Sequence, residues 1–196
     1  RYVTLSNLTA DGNGNLGLSD TEQAGLLFEK SNDIETNSGD VTCNYCTVSN
    51  SAGSGLMIRD SVDLWLNHLV VEDNSPSYDP ISIDNSGLTL GQQGGQVNMY
   101  DVIVRTERLG TDSGPALNIN RAAAIIDTVV MHGNHTGLIW NGDNNGNFPS
   151  SLSNAQLSGS TCLLLVEHTY ISGSDNLITP QCSGTITLQD SQVNWS

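Results

Sequence analysis

If this 196-residue chain performs proton-transfer chemistry, the candidate side chains are His68, Asp101, Asp127 and Glu167. An imidazole beside a carboxylate suits acid–base work, provided the fold brings together residues that are distant in sequence. A second set lies in 11–22, where Asp11, Asn13, Asn15, Ser19 and Glu22 fall on positions 1, 3, 5, 9 and 12 of an EF-hand-like calcium loop. Leu16 stands where that loop needs glycine, Gly17 comes one residue late, and no flanking helix is evident. Asp-Gly-Asn-Gly therefore reads first as a turn, with calcium as the cofactor it would otherwise bind. A third set, Asp143, Asn144, Asn145 and Asn147 beside Phe148, offers contacts to a sugar or a cation, in competition with a plain solvated loop.

What must position these residues is a repeat whose two halves both occur within Ser54–Asn74. In the first half a small residue, an aliphatic residue, any residue and a large apolar residue are followed by polar residues and Ser, at Gly25–Ser31, Gly55–Ser61 and Pro80–Ser86. Weaker copies are Leu117–Ile119, Leu138–Trp140 and Leu177–Thr179. The second half is an apolar residue, two mostly polar ones and apolar residues again. It starts at Leu5, Cys43, Leu66, Met99, Ile126, Val166 and Leu188, in steps of 38, 23, 33, 27, 40 and 22 residues. Short period-2 alternation rich in Leu, Ile and Val is a strand buried on one face. Steps with a floor near 22 and variable additions suit a solenoid whose turns tolerate insertions. One coil cannot bury its own apolar face, so the coils must stack.

This periodicity, from about Tyr2 to Trp195, resembles the right-handed parallel β-helix of the pectate-lyase-like superfamily. The resemblance implies an all-β fold: a right-handed parallel β-helix solenoid of about six to seven coils, roughly 30 Å long at about 4.8 Å per rung. It would be a single domain over 1–196, or a piece of a longer solenoid, with insertion loops at one corner: Asn32–Asp40, Gly87–Gln96 and Asn141–Ser160. An antiparallel sandwich or jelly roll is the main rival, because it too is built from many short strands. Calcium-binding nonapeptide and leucine-rich solenoids are disfavoured by the missing Gly-Gly-x-Gly-x-Asp motif and by the uneven steps.

Leu66 and Leu69 are both apolar but three residues apart, and a straight strand would turn them to opposite faces. The chain must bend at Asn67–His68, and by the same reasoning at Asn44–Tyr45 between Cys43 and Cys46. In the superfamily such bends stack into ladders, which would make Asn44 and Asn67 neighbours. Aligned bends form an outward column of Asn7, Tyr45, His68, Asp101, Thr128, His168 and Asp190, with Asp127 and Glu167 one position earlier in neighbouring coils. Paired carboxylates on adjacent rungs resemble the sites of glycoside hydrolases in this superfamily. The Asn-Thr-Asp and Gly-His-Gly motifs of polygalacturonases are absent, however. A pectate lyase would need a calcium-binding Asp cluster and an Arg or Lys base. Arg59, in a column with Glu29 and Asp84, reads equally as a cross-rung salt bridge.

Six Lys plus Arg against 21 Asp plus Glu leave a net charge of −15, a field that repels nucleic acid and anionic lipid and excludes both as expected partners. No apolar run is long enough for a transmembrane helix, so membrane insertion is not expected. Cys162 and Cys182, 20 residues apart, are expected to form a disulfide between adjacent rungs. Cys43-x-x-Cys46 lacks a second metal-ligand pair and reads as two core cysteines. The sequons at Asn7, Asn134 and Asn194 matter only in a glycosylating host. Neither end shows a polar cap, which points to end-to-end self-association. The leading expectation is an extracellular or cell-surface structural and adhesive module that binds glycan or calcium through its loops. The alternatives are a polysaccharide lyase or glycoside hydrolase, and a trimeric, tailspike-like carbohydrate binder.

Overall fold

The structure, a computed structural model, describes residues 3–12, 24–29, 41–60, 64–74, 78–84, 96–106, 115–133, 137–141, 150–159, 163–167, 170–173, 177–178, 186–189 and 192–195. Among these residues there is no helix. The strands run in chain order as β1 (Val3–Ser6), β2 (Thr9–Asp11), β3 (Leu26–Glu29), β4 (Val41–Ser49), β5 (Leu56–Arg59) and β6 (Leu64–Glu72). Then come β7 (Ile81–Asp84), β8 (Gln96–Thr106), β9 (Leu117–Asn120), β10 (Ala123–Gly133), β11 (Gly137–Asn141) and β12 (Ser150–Gly159). The last five are β13 (Leu163–Glu167), β14 (Tyr170–Gly173), β15 (Leu177–Ile178), β16 (Ile186–Gln189) and β17 (Gln192–Trp195).

From β3 to β14 successive strands fall alternately into two sheets, called long and short after their central members. The long strands stack as β1-β4-β6-β8-β10-β12-β14-β17, with β2 beside β4 and β15 beside β12; the short ones stack as β16-β13-β11-β9-β7-β5-β3. Every pairing is parallel. The chain is an all-β solenoid, and its antiparallel rivals are excluded.

Register explains the core. In the long sheet Leu5, Cys43, Leu66, Met99, Ile126 and Leu152 succeed one another. Cys46, Leu69, Val102, Val129 and Ala155 form a second inward column. Leu56, Ile81, Leu117 and Leu138 face them from the short sheet, and all of these except Leu5 are buried. Burying one such aliphatic side chain is worth about 1.5–3 kcal/mol. The stacking of successive coils therefore supplies what no single coil has.

The bends predicted inside the long strands are present. Asn7, Tyr45, His68, Asp101, Thr128 and Asn154 all have left-handed backbone, with φ between 53° and 61°. Each turns the chain so that the apolar residues on either side both point inward, as burial shows for Leu66 and Leu69 around half-buried Asn67 and exposed His68. A second corner uses Gly12, Asn50 and Asp73, and a third uses Asp60 and Arg121, again with positive φ. The left-handed region costs an ordinary residue roughly 1–2 kcal/mol, and least for Asn and Asp, whose short side chains bond locally. The abundance of Asn and Asp is thus corner chemistry first. Close packing behind the second corner leaves no room for a side chain at Gly55, where a Cβ would collide with Val71 and Asn74.

Expectation and structure part after Asn141. Residues 150–159, assigned to an insertion loop, form the long strand β12 in register with β10. Leu152-Ser153-Asn154-Ala155 is a copy of the bend motif, with Ala in place of a larger aliphatic residue and serines around it. Everything downstream moves by half a coil. Leu163–Glu167 and Ile186–Gln189 belong to the short sheet, and Leu177–Ile178 lies against β12 in the long one.

Candidate functional site on the long sheet

At the bend, successive rungs present their left-handed residues outward in a ladder. Tyr45 on β4 is 59% exposed and lies flat on the His68 imidazole of β6, with centroids 4.4 Å apart and planes within 8°. His68 Nδ1 is 2.7 Å from Asp101 Oδ2 on β8, and both side chains are about half exposed, at 47% and 51%. One rung further, Asp127 Oδ1 accepts hydrogen bonds from Asn154 Nδ2 at 2.7 Å and from Thr128 Oγ1 at 3.3 Å. Beside the ladder Trp65, 39% exposed, stacks on Tyr100 at 6.2 Å with planes within 10°. Beneath it Asn67 Nδ2 donates to Asn44 Oδ1 at 2.8 Å, the cross-rung amide contact expected of stacked bends.

The face thus changes character along the solenoid axis. Rings dominate from β4 to β8, and carboxylates with amides from β8 to β12. Rings stacked from rung to rung turn faces toward each other, so what this surface offers a ligand is apolar ring area together with the polar edges of Tyr and Trp and the neighbouring carboxylates, which take hydroxyl or ammonium hydrogen bonds. The same imidazole–carboxylate contact has the distance required for proton transfer.

Of the four acid–base candidates, His68, Asp101 and Asp127 share this ladder and Glu167 does not. Glu167 sits on the short sheet in register with Asn141 and Gln189, and the residue beside Asp127 in the next rung is Ser153. The half-coil displacement after Asn141 is the cause. His168 and Asp190 lie outside the described residues, and Asn154 occupies the sixth place of the column instead.

In the calcium-loop candidate only Asp11 is described; Asn13, Asn15, Ser19 and Glu22 lie outside the described residues. Asp11 Oδ1 accepts from Asn50 Nδ2 at 2.7 Å and Ser49 Oγ at 2.8 Å. These bonds, Asn50 foremost, hold its carboxyl below the usual carboxylate range. Among the described residues no group of three His, Cys, Asp or Glu side chains is placed to hold a metal ion. Asp143, Asn144, Asn145 and Asn147 also fall outside the described residues, as do Cys162 and Cys182.

Cys43 and Cys46 are the two buried cysteines expected, and they are bonded to each other as a disulfide across the bend. That bond leaves no thiolate for zinc. The column on the short sheet resolves into Arg59 Nη1 with Glu29 Oε1 at 3.2 Å and Asn120 Nδ2 donating to Asp84 Oδ1 at 3.0 Å. Arg105 and Glu72 form a further cross-rung ion pair at 3.2 Å.

Sequence reasoning missed the ring pair Trp65–Tyr100. The signal was there: Trp65 is a large aromatic between Leu64 and Leu66, so in a period-2 strand it must face outward. No protein family, curated protein or solved structure matches this chain.

Proposed function

We propose that this chain is a glycan-binding β-solenoid module of an extracellular or cell-surface structural protein, and that the bend ladder of the long sheet is its contact surface. One observation carries this reading: Tyr45, His68 and Asp101 on three successive rungs form a continuous, half-exposed stack beside a second stack of Trp65 and Tyr100. Exposed aromatic area arranged on a rigid sheet is uncommon unless something covers it. The carboxylates of Asp101 and Asp127 and the net charge of −15 favour a neutral or amino-bearing polymer and disfavour polyuronates. The Cys43–Cys46 disulfide supports an oxidising, extracytoplasmic setting. At one end of the two sheets the outermost described strands, β1 and β3, expose Val3 and Leu27, and copies would associate through that end. Light scattering across a concentration series tests that part.

The test of glycan binding is affinity electrophoresis of the wild type and Trp65→Ala in gels cast with a neutral polysaccharide, with chitosan and with polygalacturonate. Retardation by a neutral or amino-bearing polymer, lost in Trp65→Ala, is the expected result. Retardation by none of them, or by polygalacturonate alone, overturns the reading.

A second reading, cleavage of the bound polymer, rests on the 2.7 Å contact between His68 and Asp101. It assigns proton transfer to His68 with Asp101 orienting the ring, and places the chain near the lyases and hydrolases of the pectate-lyase-like superfamily. New reducing ends or unsaturated products with the wild type, abolished by His68→Ala, would support it; a panel of glycans left intact would end it.

A further inference from the structure

Among the described residues β4, β6, β8, β10 and β12 each turn a bend between two inward residues, and the pair differs in kind at one place. The pairs are Leu66 and Leu69, Met99 and Val102, Ile126 and Val129, and Leu152 and Ala155, in register with one another and buried. In β4 the two positions hold Cys43 and Cys46, equally buried and joined covalently, with Cα atoms 6.1 Å apart. The residues at the turning point differ in the same strand. Asn7, His68, Asp101, Thr128 and Asn154 are polar side chains, whereas Tyr45 is a bulky phenol in the same left-handed backbone, with φ of 55°. Bulky and β-branched side chains are least suited to that region, Tyr45 and Thr128 alike, and such strain persists only where the surroundings over-determine it; of these two turns only that of Tyr45 is closed by a covalent bond.

We propose that the Cys43–Cys46 disulfide is a positioning device for Tyr45. The bond closes the four-residue bend Cys43-Asn44-Tyr45-Cys46 from its inner side, so the backbone cannot relax toward the extended conformation that a tyrosine prefers. Held there, the ring stays stacked on His68 before any ligand arrives. This preorganisation removes an ordering cost from binding. Asn67 Nδ2, 2.8 Å from Asn44 Oδ1, secures the neighbouring side chain of the same turn. Tyr45 is thereby singled out as a ligand-contacting residue and the two cysteines as its support. The inference rests on the proposed glycan surface for its purpose, though not for its geometry.

The experiment compares the wild type with Cys43→Ala/Cys46→Ala, with Tyr45→Asn, and with the triple variant. Ring-current displacement of the His68 Hδ2 and Hε1 resonances reports the Tyr45 stack without any ligand, and electrophoretic retardation in the polymer gels reports binding. Loss of the disulfide is expected to move the His68 resonances toward their Tyr45→Asn positions and to weaken retardation roughly tenfold in apparent affinity. In the Tyr45→Asn background the same loss should change neither readout. His68 resonances that stay in place when the disulfide is removed would overturn the proposal. Should the double variant fail to fold, recovery of folding in the triple variant supports it, because asparagine tolerates the left-handed turn, and continued failure overturns it. A wild type that binds no glycan but shows the His68 displacement would sink the glycan surface and leave the positioning role standing.

Discussion

Two columns of polar side chains run along this solenoid, and they dispose of their chemistry in opposite ways. On the short sheet, each group meets a complementary one in the next rung: Glu29 with Arg59, Asp84 with Asn120. On the long sheet, the bend ladder stacks rings face to face and sets a carboxylate beside an imidazole, leaving Tyr45, His68 and Asp101 about half in solvent. The backbone under both is the same parallel, in-register scaffold. The difference lies in side-chain choice, and it separates a column whose groups bond to one another from one with bonding capacity left over.

The scaffold common to both columns is the first thing to break. Leu66 is fully buried between Cys43 and Met99, so Leu66→Ala removes transfer energy and opens a cavity, at a cost of about 2–5 kcal/mol. Chemical denaturation should show that loss, together with loss of the His68 ring-current displacement one turn away. A variant with wild-type stability would mean that the coils are not packed in this register.

The next change acts on one column and spares the other. Tyr45→Ala removes an exposed ring, so stability should change by about 0.5 kcal/mol or less beyond any relief of the strained turn. Retardation in a polymer-containing gel should nevertheless fall by roughly tenfold in apparent affinity, the scale of one good aromatic contact. Unaltered retardation would erase the functional distinction between the two columns.

How much of this contrast was legible beforehand depended on the strength of each repeat copy. Leu66-Asn67-His68-Leu69 states its bend openly, because two leucines three apart cannot both face the core of a straight strand. From that copy the column of Tyr45, His68, Asp101 and Thr128 followed, whereas the contact between Asn44 and Asn67 was implied by the resemblance to stacked-bend solenoids. Leu152-Ser153-Asn154-Ala155 says the same thing faintly: alanine is a weak apolar signal, and the serines around it read as loop. Missing it displaced Glu167 onto the wrong sheet. The bend at Asn44–Tyr45 already placed Cys43 and Cys46 on the same interior side, and reading them only as two core cysteines stopped one step short of the bond between them.

A smaller effect is expected from the short-sheet column. Arg59 and Glu29 are partly exposed, at 26% and 44% of their side chains, and exposed ion pairs are worth about 0–1 kcal/mol. Arg59→Ala should therefore lower the denaturation midpoint slightly, less so at high salt, and leave glycan retardation intact. Weakened glycan binding in Arg59→Ala would move the contact surface to the short sheet.

The smallest expected change concerns Asp11, at the corner where β2 meets the end of β4. Its carboxylate accepts from Asn50 and Ser49, and these bonds, with a lesser one from the Gly12 backbone, lower its pKa. A carboxyl whose folded pKa lies below its unfolded value binds protons more readily when unfolded. Its stabilising contribution is therefore complete above the ordinary carboxylate range and is lost as pH falls through the lowered folded value. Because Asp11 is exposed, the effect on melting temperature should be slight. Melting curves of the wild type and Asp11→Ala should differ most near neutral pH and converge on acidification. Curves that stay parallel into acid would show that the corner is held by its left-handed Gly12 and the backbone bond from Gly12 to Ser49, with the charge contributing nothing. That corner would then be maintained by backbone geometry alone, without the charge-assisted bonds that tie Asp11 to the next rung.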